Sequence, residues 1–165
     1  MSAPYGLRQT LAATLQPFTQ YTLEVEVGNI ASGTALDGTP FNLDGFPGYR
    51  IELLAGNTLL ADDDDSLTIA EGQFATATVS LTTGATHDDL NQPLTIRLLN
   101  LNQVDPATPG ADREVDFDDV RLDATIIPEP STTAALTGAA ALLAPRRRRA
   151  CPLSPRERVA SLRAG

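Results

Sequence analysis

Lysine and tryptophan are absent from this chain, and cysteine, histidine and methionine each occur once. A lone Cys151 excludes an internal disulfide. A lone His87, with no second histidine or paired cysteine, is a poor start for zinc and leaves no histidine-centred triad to assemble. No Gly-x-Ser-x-Gly turn and no phosphate-binding loop is present, so the inventory for nucleophilic catalysis is thin. Carboxylates are plentiful, but their abundance carries no specificity for glycoside chemistry. These absences point away from an enzyme. Residues 1–127 hold 19 acidic side chains and five arginines, which excludes a nucleic-acid partner because phosphate backbones demand clustered positive charge. Residues 128–165 reverse the balance, with two acids and seven arginines. No basic start followed by an apolar stretch succeeds Met1, so no signal peptide is visible.

Alternation of apolar and polar residues is the strongest positive signal. Tyr21, Leu23, Val25 and Val27 alternate with Thr22, Glu24 and Glu26, and Gly28-Asn29 ends that strand. Tyr49, Ile51, Leu53 and Ala55 form a second strand, which Gly56-Asn57 turns into a hairpin with Thr58–Ala61. Ala75 to Leu81 and Leu94 to Leu98 continue the pattern, and Gln9 to Ala13 is a short candidate. Parity changes near Leu98-Leu99 and at Asp118-Asp119, where bulges or a doubly buried face are expected. Residues 30–48 make a long loop, a feature associated with function or mobility. Roughly seven short strands at this spacing predict an all-β jelly roll or β-sandwich.

Four groups of side chains invite a functional reading. Asp118, Asp116 and Asp119 crowd one strand, and a hard cation such as calcium takes six to eight oxygens from such carboxylates. The alternative is a bulged strand end with solvated acids. Asp62 to Asp65 lacks the ligand spacing and central glycine of an EF-hand and is expected to be a charged, edge-protecting turn. His87-Asp88-Asp89 is expected to be loop. Phe41, Phe46 and Tyr49, in or beside the long loop, either form a rim that stacks on a sugar or plug the end of the sandwich.

Two stretches carry a family resemblance. Gln9-Thr10-Leu11, Tyr21-Thr22-Leu23, Val27-Gly28-Asn29, Pro47-Gly48-Tyr49 and Val115 to Leu122 resemble the galactose-binding-like jelly-roll domains found in many PEP-CTERM proteins. That resemblance implies a structural calcium ion near Asp118, with one or two strands preceding the first one seen here. It therefore carries the expectation that the chain is N-terminally incomplete. Pro128, Glu129, Pro130 and Ser131, then an Ala/Leu-rich run, then Arg146, Arg147, Arg148 and Arg149 resemble a PEP-CTERM sorting tail. The resemblance implies recognition by an exosortase-type processing enzyme. The prolines hold Glu129 extended, and the arginines stay cytoplasmic. As a helix, Ala134 to Ala144 would span roughly 16 Å against a hydrocarbon core of about 30 Å, so its membrane association is marginal.

These expectations combine into one picture. Residues 1–127 form a β-sandwich domain, 128–149 a sorting signal and 150–165 a disordered extension outside the sorting pattern. The expected function is that of an exported cell-surface or matrix protein with structural or adhesive duties and no enzymatic activity. A carbohydrate-binding module for exopolysaccharide is the alternative, and a hydrolase the third choice.

Overall fold

The architecture comes from a computed structural model in which residues 3–129 are described. Pro130, Ser131, the block Arg146 to Arg149 and the extension 150–165 lie outside the described residues. Every regular element among the described residues is a strand: β1 Tyr5–Thr14, β2 Thr19–Asn29, β3 Gly33–Thr34, β4 Pro40–Phe41, β5 Tyr49–Ala55, β6 Thr58–Asp64, β7 Gln73–Thr82, β8 Pro93–Asn100 and β9 Asp116–Ile126. The all-β expectation holds. A four-stranded sheet in the order β1-β8-β5-β6 and a three-stranded sheet in the order β7-β2-β9 share one core, and β3 pairs with β4 in a small ribbon. All pairings are antiparallel.

Alternation explains which side chains make that core. Leu23, Val25 and Val27 on β2 face Ile51 and Leu53 on β5, all without exposure, and Leu94, Ile96 and Leu98 on β8 extend the floor. Each such side chain contributes roughly 1.5–3 kcal/mol through burial. Gly56, at φ +59°, lets β5 turn at once into β6, where Ala55 pairs with Thr58. Gly6 has a different duty: a Cβ there would lie 1.9 Å from the Leu98 carbonyl oxygen, so only glycine lets β1 run this close to β8.

One expectation needs revision, and one that had two readings is resolved. Asp62, Asp63 and Asp64 belong to β6 rather than to a turn, because β5 supplies partners for them. Arg50 grips Asp64 with two bonds of 2.8 Å, holding the Asp64 carboxyl below its usual range. The Tyr49 hydroxyl donates to Asp63 Oδ2 at 3.0 Å, and Ser66 adds its amide and hydroxyl to the same carboxylate. The register of β8 also runs unbroken through Leu98 and Leu99. There the second face of the sheet is partly covered, with Leu54 buried and Leu99 half-buried, so both parities tolerate leucine. The buried Glu52, on that same outer face, is paired with Arg97. At Asp118-Asp119 the expected bulge is present: the β2–β9 register slips there and Asp119 has φ +45°.

Tyr49 provides a test of this core. Burial pushes its hydroxyl up to about 12. The unfolded phenol ionises near pH 10, so the native state binds more protons between these values and stability falls as pH rises through that window. Tyr49→Phe removes both this alkaline loss and the bond to Asp63. At neutral pH it is expected to cost about 1.5–3 kcal/mol, measured by urea unfolding at pH 7 and pH 11.

Candidate functional site

Among the described residues the sandwich is closed along one side, where β6 meets β7, and open along the other, where β1 and β9 end their sheets. On the open side the inward row of β1 includes Leu7, opposite Leu98, and that of β9 runs through Phe117, Val120, Leu122, Ala124 and Ile126. These positions have core parity without core burial: Leu7 is 70% exposed, Val120 42% and Ile126 81%. A chain of clefts follows this line.

The end cleft has the chemistry of a site. It encloses about 470 Å³ between β1, β8 and the segment leading into β9. Leu7, Leu43, Leu98, Val115 and Phe117 make its floor, and Tyr5, Asn100, Asp112, Arg113 and Glu114 its polar rim. Asn100, almost fully buried, organises the rim. Its Nδ2 donates to the Tyr5 hydroxyl at 3.0 Å and to the Arg113 carbonyl at 3.1 Å, while Tyr5 donates to that same carbonyl at 2.9 Å. The Asn100 Oδ1 accepts the Asn102 amide at 2.7 Å, and Arg113 Nη1 donates to the Asn102 carbonyl at 3.0 Å. A further bond, from the Asp112 amide to the Asn42 carbonyl, ties the segment to the long loop. The backbone between Asp112 and Val115 is therefore fixed on several sides. Asp112 and Glu114 also line an adjoining cleft with Ile30, Phe41 and Leu43, so the two carboxylates stand between two apolar hollows. Such an arrangement suits an apolar ligand beside groups that accept or donate protons.

The residues singled out from sequence are scattered around this geometry. Phe41, 39% exposed, lines the adjoining cleft. Phe46 is half-buried and meets Tyr49 with tilted rings 6.2 Å apart, and Tyr49 has no exposure at all, so this pair plugs the sandwich end instead of forming a rim. His87 accepts the Asp89 amide through Nδ1 within a loop. In the Asp62 to Asp65 run, burial raises the Asp65 carboxyl above its usual range, and it accepts the Tyr49 amide at 3.3 Å. Pro128 and Glu129 are exposed beyond β9. Asp112, Glu114, Tyr5 and Asn100 were not singled out. The charged triplet Asp112-Arg113-Glu114 directly before a strand was the one available signal.

Asp116, Asp118 and Asp119 do not converge on one point in this structure. No group of three acidic, histidine or cysteine side chains converges among the described residues. Asp116 and Asp118 pair with Gly28 and Glu26 on the outer face of the sheet, whereas Asp119 turns through the bulge toward Arg121 at 3.4 Å. Asp118 Oδ1 is already taken by the Asp119 amide at 2.7 Å. Asn29 Oδ1, on β2, is a buried oxygen without a partner among the described residues. Like charges directly opposite destabilise a pair by a fraction of a kcal/mol. Asp118→Asn is therefore expected to raise the melting temperature slightly, equally in calcium and in chelator. A destabilisation seen in calcium alone would show that Asp118 is a ligand.

Comparison with known proteins places this geometry. The HpiC1-like family model, described as HpiC1 cyclase, matches residues 1–123. A cyclase from Fischerella sp. TAU is 47% identical over 76% of this chain, with a TM-score of 0.65. A crystal structure of a cyclase from the same source with 4-(1H-indol-3-yl)butan-2-one is 46% identical over 78% of the chain, again at 0.65. The Stig cyclase Fisc with (3Z)-3-(1-methyl-2-pyrrolidinylidene)-3H-indole is 47% identical over 76%, at 0.64. The chain spans 58% of the length of the first and third of these proteins and 59% of the second. No curated protein matches. These findings overturn the resemblance to PEP-CTERM proteins with a galactose-binding-like body and the structural, adhesive or exopolysaccharide-binding role drawn from it. The exosortase partnership and the expectation of a non-enzyme fall with them, because the relatives are cyclases crystallised with small molecules. With a family model fitting nearly all of its described strands and a crystallised cyclase 47% identical over 76% of it, the chain belongs to the HpiC1-like cyclase family.

Proposed function

We propose that this chain forms the body of a cyclase that closes a ring on an apolar, indole-bearing small molecule held in the end cleft. One observation carries the proposal: an apolar floor with two carboxylates on a braced rim, in a chain 46% identical to a cyclase crystallised with an indole ketone. Ring closure joins two atoms of one molecule, so the protein must fold the substrate until they meet, keep water away and move a proton. Leu7, Leu98 and Phe117 would serve the first two tasks, with Phe117 offering a ring face or edge to the indole. Asp112 and Glu114 are the groups placed to give or take the proton.

The same reading extends to the fold. The connections β1 to β2, β6 to β7, β7 to β8 and β8 to β9 each pass from one sheet to the other. That crossing supports a jelly roll rather than a simple meander.

The absence of tryptophan allows a direct test, because the ligand brings the only indole. Titrating the full chain into 4-(1H-indol-3-yl)butan-2-one is expected to enhance and blue-shift the ligand's fluorescence, and Phe117→Asp to abolish the change. Asp112→Asn and Glu114→Gln are expected to preserve binding and the melting temperature. In a turnover assay at least one of them should lower kcat by about 100-fold or more, the range for loss of a general acid or base. Unchanged turnover in both would remove these carboxylates from the chemistry, and no fluorescence response would remove the cleft.

A further inference from the structure

We infer, resting on the cyclase reading of the end cleft, that Thr108 is a positioning residue for ring closure. It acts through a clasp between two loops that holds Asp112 against the cleft floor. β5 and β8 pair as far as Tyr49 and Asn100, where β5 begins and β8 ends. Beyond that point the two segments stay joined by an irregular ladder. The Leu101 amide donates to the Gly48 carbonyl and the Gln103 amide to the Pro47 carbonyl, each at 3.0 Å. The Thr108 hydroxyl donates to the Asp44 carbonyl at 2.9 Å, and the Asp112 amide to the Asn42 carbonyl at 2.8 Å. Each step up one segment is a step down the other, and each of these donors lies on residues 101–112. The ladder ends where the cleft begins: Leu43 belongs to its floor and Asp112 to its rim. Both also line the adjoining cleft, so their spacing bears on both hollows.

Of these four links, only that of Thr108 is made by a side chain. The local sequence holds its hydroxyl in place. Asp105-Pro106-Ala107-Thr108 and Thr108-Pro109-Gly110-Ala111 form two successive turns, each with proline second, where its fixed φ fits. Thr108 closes one turn and opens the next, donating its amide to the Asp105 carbonyl and accepting the Ala111 amide, both at 3.1 Å. Asp105 Oδ1 also accepts the Ala107 amide at 2.8 Å. Opposite the hydroxyl stands Gly45, at φ +92°. A Cβ there would lie 2.6 Å from the Thr108 hydroxyl oxygen and 2.8 Å from Asp105 Oδ2, so glycine alone permits this approach. The hollow between the loops measures only about 10 Å³, no more than a single water needs. With so little slack, a change at Thr108 moves the segment that carries Leu43 and alters its spacing from Asp112.

Substitutions in the full 165-residue chain provide the test. Thr108→Val keeps the side chain's shape and removes its hydroxyl, whereas Thr108→Ser keeps the hydroxyl. Thr58→Val, which removes a hydroxyl bond to Asp89 at the β5–β6 turn, is the control. Residue-resolved hydrogen exchange is expected to show the Asp112 amide exchanging about tenfold faster or more in Thr108→Val, and at the wild-type rate in the other two. Thr108→Val is also expected to lower kcat about tenfold or more, within the ~100-fold that a shift of about 1 Å can cost. Its affinity for 4-(1H-indol-3-yl)butan-2-one, read from the ligand's fluorescence, should change by less than about twofold. Thr108→Ser restores both rates. Gly45→Ala, which forces the same contact apart from the other loop, is expected to reproduce the faster exchange and the lower kcat. An Asp112 amide indifferent to Thr108→Val would overturn the clasp. Faster exchange with unchanged kcat, equal losses of kcat and ketone affinity, or no rescue by serine would overturn the positioning role. An active wild type with an indifferent Thr108→Val overturns this inference alone, whereas a wild type without turnover overturns the cyclase proposal together with it.

Discussion

Three strands facing four is the constraint on which the rest of this structure depends. The outer strands β6 and β7 meet and close one side, which leaves the inward faces of β1 and β9 short of partners. Polar contacts stiffen the four-stranded sheet on the first side. Arg50 with Asp64, and Tyr49 and Ser66 with Asp63, bind β5, β6 and the turn after it into one unit. Glu52 with Arg97 continues the ladder onto β8. No comparable set joins β1 to β9 among the described residues. Instead Asn100 and Tyr5 tie the start of β1 to the backbone just before β9, so the open side is anchored at one end and gapes along the rest.

Much of this frame was legible from alternation, because a half-buried strand leaves a period of two in the sequence. β5 begins and ends where Tyr49, Ile51, Leu53 and Ala55 place it, and the inward row of β2 is the one expected. Parity also exposed the bulge at Asp119. At Leu98-Leu99 it left two readings open, and cover on the second face, rather than a register slip, is the one found. Reading the four aspartates beginning at Asp62 as a turn failed. A run of like charges resembles a solvated turn until the cross-strand arginine and tyrosine are known.

The site was far less legible. Tyr5 reaches Arg113 across 108 positions in the chain, and nothing local in either residue signals the meeting. Asp112 and Glu114 gain their significance from the leucines around them, which come from β1, β8 and the long loop. The acids that did draw notice, Asp116, Asp118 and Asp119, crowd together in sequence but divide between the sheet face and the bulge in space. The Pro-Glu-Pro stretch at Pro128 misled in a different way, since a short, recognisable motif outweighed the much longer β body that carries the family signal.

Reasoning from missing nucleophiles also misjudged what a cyclase requires. A hydrolase must activate water or a side chain, and a lone histidine and a lone cysteine make that hard. Intramolecular ring closure supplies its own nucleophile from the substrate. What remains for the protein is to confine a flexible molecule, exclude solvent and exchange protons. Under the proposed function those duties fall to leucine, phenylalanine and carboxylate, residue types so common that composition cannot distinguish them from a core and a surface. Only their placement does, and here placement follows from the mismatch in sheet width: core residues left uncovered become the apolar floor, and the acids that border them become the rim. The feature that parts the two sheets along one side is thus the same one that shapes the cleft.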